Sequence, residues 1–216
     1  VKKAARKVLV TGFEPFGGAT VNPSADIARH MHGRRIGGHE IAGVVLPCRF
    51  DAAIAALKKH LLALDPALVV CVGQAGGRAE ITPERIAINV DDAQIPDNAG
   101  RQPVDVRIVK NGPAAYWSTL PIKAVVAALR KRGIPAAVSQ TAGTFVCNHV
   151  FYGLMHALRT RPLVRGGFVH VPFLPAQARD GQPSLVLSVM IDAIEKTVAV
   201  SLGTQRDIRA KGGQTH

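Results

Sequence analysis

The stretch Leu68-Val69-Val70-Cys71-Val72, running straight into Gly73-Gln74-Ala75-Gly76-Gly77, decides the fold class. An apolar run without alternation predicts a strand buried on both faces, and the glycine-rich polar loop after it predicts a functional edge. The same pattern recurs on either side. Lys7–Thr11 is an apolar strand that ends in Gly12-Phe13-Glu14-Pro15-Phe16-Gly17-Gly18, Glu40–Pro47 is another strand, and Gly167–Pro172 a later one. Helical patterns lie between them. Asn22-Pro23-Ser24 opens one, with Asn22 as N-cap and Pro23 at the first helical position, followed by Ile27, Ala28 and Met31 at helical spacing. Asp51 caps the next, whose apolar stripe is Ile54, Leu57, Leu61 and Leu64. Further helices are read over Leu120–Arg132, after Cys147, and over Pro183–Leu202. Arg85–Val90 and Ala136–Ser139 read as additional strands, and Ile95–Gly100 as a turn-rich loop. Strands alternating with helices predict an α/β protein, a three-layer α/β/α sandwich around a twisted, largely parallel sheet. In such sheets ligands gather beyond the carboxyl ends of the strands, here the loops starting at Gly12, Gly73 and Gln140.

With 216 residues and no repeat, linker or break in composition, residues 1–216 read as one domain. Its basic N-terminal end (1–7) and polar C-terminal tail (203–216) are expected to be flexible. No apolar run reaches the roughly 18 to 20 residues a bilayer requires, and the basic N-terminus lacks the apolar segment of a signal peptide. Membrane partners are not expected. Three cysteines at irregular spacing make neither a disulfide framework nor a zinc pattern, which points to a reducing cytoplasm. The formal charge of +12 invites a nucleic-acid reading, but its distribution argues against one. Lys2, Lys3, Arg6 and Lys7 supply +4, and Arg206, Arg209 and Lys211 less Asp207 supply +2, so half the excess sits on the two ends. Between them no basic stripe is interleaved with aromatic residues, as a single-strand groove requires.

Cys147 is the residue most charged with chemical meaning. It ends Ser139-Gln140-Thr141-Ala142-Gly143-Thr144-Phe145-Val146-Cys147, which turns through Gly143 into a helix. At a helix start, unpaired N–H groups and the positive end of the macrodipole favour the thiolate. Cys71, inside an apolar strand, and Cys48, just after one, read instead as buried small hydrophobes. His170, at the end of a strand closed by Pro172, is the preferred base. His30, His32, His60, His149, His156 and His216 have plainer places on helix ends, solvated faces or the tail. Glu84 would orient the imidazole, with Asp91 and Asp92 as competitors for that role. A metal centre is the chemical rival, through Cys147, His149 and His156, but neither Cys-x-x-Cys nor His-Glu-x-x-His accompanies them, so no metal is expected. The glycines of Gly12–Gly18 and Gly73–Gly77 match neither a phosphate loop nor a dinucleotide motif.

Three stretches resemble the pyroglutamyl peptidase I (pyrrolidone-carboxylate peptidase) family of cysteine peptidases. They are Gly73 through Glu84 to Asn89, Ser139 through Cys147 to Asn148, and Gly12–Gly18 with Asn22-Pro23-Ser24. The resemblance implies a thiol hydrolase that cleaves the amide bond after an N-terminal pyroglutamyl residue, through a thioester. It implies Cys147 as nucleophile, His170 as base and Glu84 as orienting acid. It implies a pocket in which Phe13, Phe16 and Phe145 flank the lactam ring, Ile95 and Val146 complete the wall, and Gln74 and Asn22 make polar contacts. Further implications are no cofactor, peptides bearing N-terminal pyroglutamate as substrates, and a homotetramer. Against the family pattern, Gln94 stands where many relatives carry an arginine, Cys48 where a threonine is usual, and Pro83 is unusual before the glutamate. The alternatives are thiol-dependent hydrolysis of another small amide, or a non-catalytic basic binding protein.

Overall fold

The computed structural model describes residues 6–212. Residues 1–5 and 213–216, which hold most of the basic end and the last part of the polar tail, lie outside the described residues. The central sheet is built from β1 (Val8–Phe13), β2 (Arg35–Ile36), β3 (His39–Leu46), β4 (Leu68–Gln74), β5 (Thr82–Pro83) and a late strand, β8 (Arg165–Val171). The two remaining strands, β6 (Ile86–Ile88) and β7 (Ala115–Trp117), form a separate antiparallel hairpin. Order across the sheet is β2-β3-β1-β4-β8-β5. β1 pairs parallel with β3 and β4, and β4 pairs parallel with β8, while the two short edge strands run antiparallel. The expected largely parallel sheet is therefore present.

Among the described residues five helices cover it: α1 (Pro23–Met31), α2 (Ala52–Leu64), α3 (Ile122–Lys131), α4 (Val146–Leu158) and α5 (Leu187–Gly203). Ile27 and Met31 of α1, Val125 and Leu129 of α3, and Met190, Ile194 and Val198 of α5 pack with Val8, Val10, Val70 and Val169 on one face. Leu57 and Leu61 of α2 and Val150, Phe151 and Leu154 of α4 pack with Leu9, Val69, Cys71 and Phe168 on the other. Two apolar layers on one sheet explain why β1, β4 and β8 show no polar alternation: nearly every residue in them is buried. α1 lies so close to β1 that a Cβ at Gly12 would come within 1.9 Å of the Ser24 carbonyl oxygen.

From β1 the chain passes through α1 to β3 on one side, then returns through α2 to β4 on the other. This reversal makes the carboxyl ends of β1 and β4 a switch point, with the Gly12 and Gly73 loops side by side. Asn22 does cap α1: its Oδ1 accepts from the Ser24 N–H at 3.1 Å, with Pro23 at the first position.

Several expectations are corrected. Asp51 sits at the start of α2 but makes no side-chain cap, because its backbone is held at φ 57°. Ala136–Ser139 is not a continuous strand: its parallel bridges, Ile81 with Ala136 and Glu84 with Ser139, stay separate because Pro83 between them has no N–H to donate. α5 begins at Leu187, four residues later than expected from Pro183. The polar tail is docked as far as Gly212: both carboxylate oxygens of Asp207 accept from the N–H groups of Lys123 and Ala124, capping α3 from outside it.

Candidate active site

Glu84, His170 and Cys147 come from three separate elements that the sheet brings together. Thr82 pairs with His170 across the β5–β8 ladder, and Glu84 follows two residues on, on the same face. Pro83 between them is tolerated because β5 is an edge strand, and its carbonyl still accepts from Ser139 N–H at 3.1 Å. His170 Nδ1 lies 2.7 Å from Glu84 Oε1. A carboxylate oxygen accepts, so Nδ1 carries the proton and Nε2 is left with its lone pair. Both residues are buried, His170 at 3% exposure and Glu84 at 0%. Nε2 makes no hydrogen bond among the described residues.

His170 stands opposite Gly73 in the parallel β4–β8 ladder. Side chains at paired positions point to the same face, so the imidazole leans toward the space that a Gly73 side chain would fill. That space is taken by sulfur: a Cβ at Gly73 would meet Cys147 Sγ at 2.8 Å and Phe168 Cζ at 2.7 Å. Cys147 is the second residue of α4, whose N-cap, Phe145, gives no side-chain bond to the first turn. The opening N–H groups of α4 are thus directed at the site and free to receive a negative oxygen. The expected thiolate is not what the surroundings favour. Burial pushes the Cys147 thiol well above its ordinary range, and the negative charge of Glu84 adds to this more than the Arg78 cation relieves it.

Arg78, which sequence reading did not single out, grips the acid. Its Nη1 lies 2.6 Å from both Glu84 Oε1 and Thr82 Oγ1, and its Nη2 donates to the Thr141 carbonyl at 2.9 Å. One guanidinium therefore joins the Gly73–Gly77 loop region, the Glu84 carboxylate and the segment leading to Cys147. Its place six residues before Glu84, in the same glycine-rich signature, is the signal that could have found it.

The acids that competed with Glu84 go elsewhere. Asp92 is exposed, and Asp91 is buried against His149, with Oδ2 2.7 Å from Nδ1. The second nitrogen of His149 accepts from Asp51 N–H at 2.9 Å, so this ring has no lone pair to offer as a base. His149, read as a plain residue flanking the helix after Cys147, is thus buried and bonded on both ring nitrogens.

Aromatic rings gather nearby. Phe16 and Phe145 lie 5.7 Å apart, and Phe50, missed in the sequence, stands edge-on to Phe145 at 5.5 Å. Ile95, 41% exposed, faces the same loop: its Cδ1 would be 3.5 Å from a Cβ at Gly17. Phe13 is buried in the core, 6.1 Å from Phe168, and Val146 is buried beside it in the same apolar layer. Neither is exposed in the structure. Asn22 is likewise occupied, accepting from Ser24 and donating to the Glu14 carbonyl at 3.1 Å, so it shapes the Phe13–Gly18 loop from within. Gln74 is half-buried at the end of β4, its Oε1 taking a 2.9 Å bond from Gln177, beside a cleft of about 690 Å³. Gln94 is exposed, and Cys48 is buried in the layer of Phe13 and Phe50. Among the described residues no cluster of three metal-ligating side chains occurs, and no helix is long and apolar enough to cross a membrane.

A cysteine at a helix start beside a histidine–carboxylate pair, on a doubly covered parallel sheet, defines the class of thiol hydrolases. The comparisons narrow that class. The pyroglutamyl peptidase family model matches residues 6–204, and the chain belongs to that family. It is 57% identical over 213 residues to a pyrrolidone-carboxylate peptidase of Cupriavidus taiwanensis, covering 97% of this chain and 99% of the other. A crystal structure of pyroglutamyl peptidase I from Bacillus amyloliquefaciens superposes with a TM-score of 0.93 at 47% identity, covering 96% of this chain and all of the other. The pyrrolidone carboxyl peptidase of Thermococcus litoralis gives 0.92 at 42% identity, over 95% of this chain and 99% of that one.

Proposed function

We propose that this chain is a cysteine peptidase that removes N-terminal pyroglutamate from peptides, with Cys147 as nucleophile, His170 as base and Glu84 as orienting acid. The observation that carries the reading is the buried His170–Glu84 pair, whose free Nε2 lies on the sheet face that holds the Cys147 sulfur. The substrate's first residue is a flat, neutral lactam. A slot walled by Phe16, Phe145 and Ile95, backed by Phe13 and Val146, suits such a ring, and an ammonium buried there unpaired would be costly. Gln74 reads the amide edge, and the cleft beside it receives the rest of the peptide.

Because burial favours the neutral thiol, Cys147 hands its proton to His170 Nε2 as sulfur attacks the carbonyl carbon. The carbonyl oxygen takes the negative charge and is held by the first N–H groups of α4; loss of one such donor typically costs about 100- to 1000-fold in rate. The imidazolium is steadied by Glu84. It then gives its proton to the leaving amine, the C–N bond breaks, and a thioester remains. Water, deprotonated by His170, attacks the thioester and releases pyroglutamate and the thiol.

The two apolar layers on one sheet support reading residues 1–216 as a single catalytic domain. A homotetramer belongs to the same proposal, supported by large apolar side chains left exposed at Leu62, Trp117 and Leu163 and tested by sedimentation velocity. Free thiols at Cys48, Cys71 and Cys147 support a reducing, cytoplasmic setting. The decisive assay is a fluorogenic pyroglutamyl amide. Wild type turns it over, Cys147→Ala and His170→Ala lose nearly all activity, and Glu84→Gln loses part. Unchanged turnover by Cys147→Ala would end the assignment.

A further inference from the structure

Two residues beyond Cys147, the mechanism leaves a second buried histidine–carboxylate pair unused. His149 and Asp91 are each 2% exposed, with Nδ1 2.7 Å from Oδ2, and Asp91 Oδ1 is buried without a partner. On the other side, His149 Nε2 lies 2.9 Å from the backbone nitrogen of Asp51. A backbone N–H can only donate, so Nε2 accepts and the ring proton resides on Nδ1, donated to Asp91. The ring is therefore held in a single tautomer by partners on both sides.

The segment it holds is a strained turn. Asp51 has φ 57°, a left-handed conformation that costs free energy for a residue with a side chain. One residue earlier, Phe50 N–H donates to Asp97 Oδ2 at 2.8 Å. The Phe50 ring stands edge-on to the His149 imidazole at 5.3 Å and edge-on to Phe145 at 5.5 Å, with both interplanar angles 89°. Phe145 then meets Phe16 at 5.7 Å. Contacts thus run from Asp91 through His149 to the Asp51–Phe50 turn and on to the rings of the acyl slot. Edge-to-face pairs hold only while ring orientation is kept, so this turn sets the wall.

We propose that His149 is a positioning residue for the acyl slot: by accepting the Asp51 N–H it holds Phe50 against Phe145 and so fixes the Phe145 ring that walls the slot. The proposal rests on the peptidase reading above. It makes Phe50 a determinant of substrate fit that touches the ligand's neighbours rather than the reacting atoms.

Steady-state kinetics on the pyroglutamyl amide, paired with the rate of Cys147 alkylation by iodoacetamide, test it. An asparagine side chain overlays the Nδ1 position and can still donate to Asp91, but cannot reach Asp51. A glutamine overlays Nε2 and can accept from Asp51. His149→Asn is expected to raise KM about five- to tenfold, the scale of one net hydrogen bond, with kcat within about twofold of wild type. His149→Gln is expected to give a clearly smaller rise, and alkylation should be unchanged in both. Melting curves check folding; should the His149 variants not fold, Phe50→Leu is expected to give the same rise in KM at constant kcat. A fall in kcat at constant KM, equal effects of Asn and Gln, or an unchanged KM in Phe50→Leu would overturn the proposal. A wild type inert toward the amide would instead overturn the peptidase reading beneath it.

Discussion

The sulfur of Cys147 lies against the bare α-carbon of Gly73, close enough that a Cβ there would stand 2.8 Å from Sγ. The same Cβ would meet the Phe168 ring at 2.7 Å, and Gly73 is the ladder partner of His170. The Cys147 sulfur, the His170 imidazole and the sheet thus share one small volume, and glycine is what leaves it open. Gly73→Ala is expected to push sulfur and ring apart and lower kcat/KM by about 100-fold or more, the usual cost of an ångström's displacement at a reacting centre. Kinetics of the folded variant check this, and wild-type activity would show that the sulfur has room to spare.

Burial raises the Cys147 thiol, so its reactivity in the free protein should follow deprotonation at alkaline pH. Alkylation by iodoacetamide is expected to be slow at neutral pH and to climb through and beyond pH 9, the ordinary thiol value. A plateau already reached in mildly acid solution would reveal a preformed thiolate–imidazolium pair and contradict the order of proton transfer given above.

Stability should fall in alkali for the same physical reason. Burial pushes the Cys71 thiol up to about 12, and burial together with the charges of Asp97 and Glu14 pushes Cys48 up to about 12. Above pH 9 the unfolded chain releases these protons while the folded chain keeps them. The unfolded state then binds fewer protons, so the unfolding free energy drops as pH rises, until the folded thiols also ionise near 12. Each such thiol contributes a slope of up to about 1.4 kcal/mol per pH unit. Urea unfolding of Cys71→Ala should show a flatter decline than wild type between about pH 9 and pH 11, whatever its baseline stability. Parallel curves would refute the effect.

Arg78 shares Glu84 Oε1 with His170 and also ties down Thr141. Without it a buried carboxylate, already lacking a partner on Oε2, would lose its main counter-charge. Arg78→Met is expected to cut kcat by roughly tenfold or more with a small change in KM, because the imidazolium formed during turnover loses its fixed partner. Arg78→Lys should recover part of the loss, keeping the charge but not the two-pronged grip. A change confined to KM would place Arg78 among the substrate contacts instead.

The elements most legible in the sequence are those with one unambiguous physical demand. β1, β4 and β8 are covered on both faces, so they had to be written as unbroken apolar runs. The start of α1 needed a side-chain acceptor and tolerated proline, and Asn22-Pro23 states both. Ala136–Ser139 does run parallel beside β5, but Pro83 lacks the N–H that would carry the ladder across Ala137, so the pairing stays as separate bridges. Arg85–Val90 has strand chemistry but pairs in its own hairpin with β7, a partner nearly thirty residues downstream that no local pattern announces.

By itself the sequence determined the layered α/β plan, the loops that carry function, and the side chains able to perform thiol chemistry, because periodicity and residue type are local properties of the chain. Only the tertiary structure decided that Glu84 and not Asp91 bonds His170, that His149 is tied to a backbone N–H, and that burial raises the Cys147 thiol. Those outcomes depend on which distant groups share a desolvated space, where a few ångströms choose the hydrogen-bond partner and burial disfavours a charge.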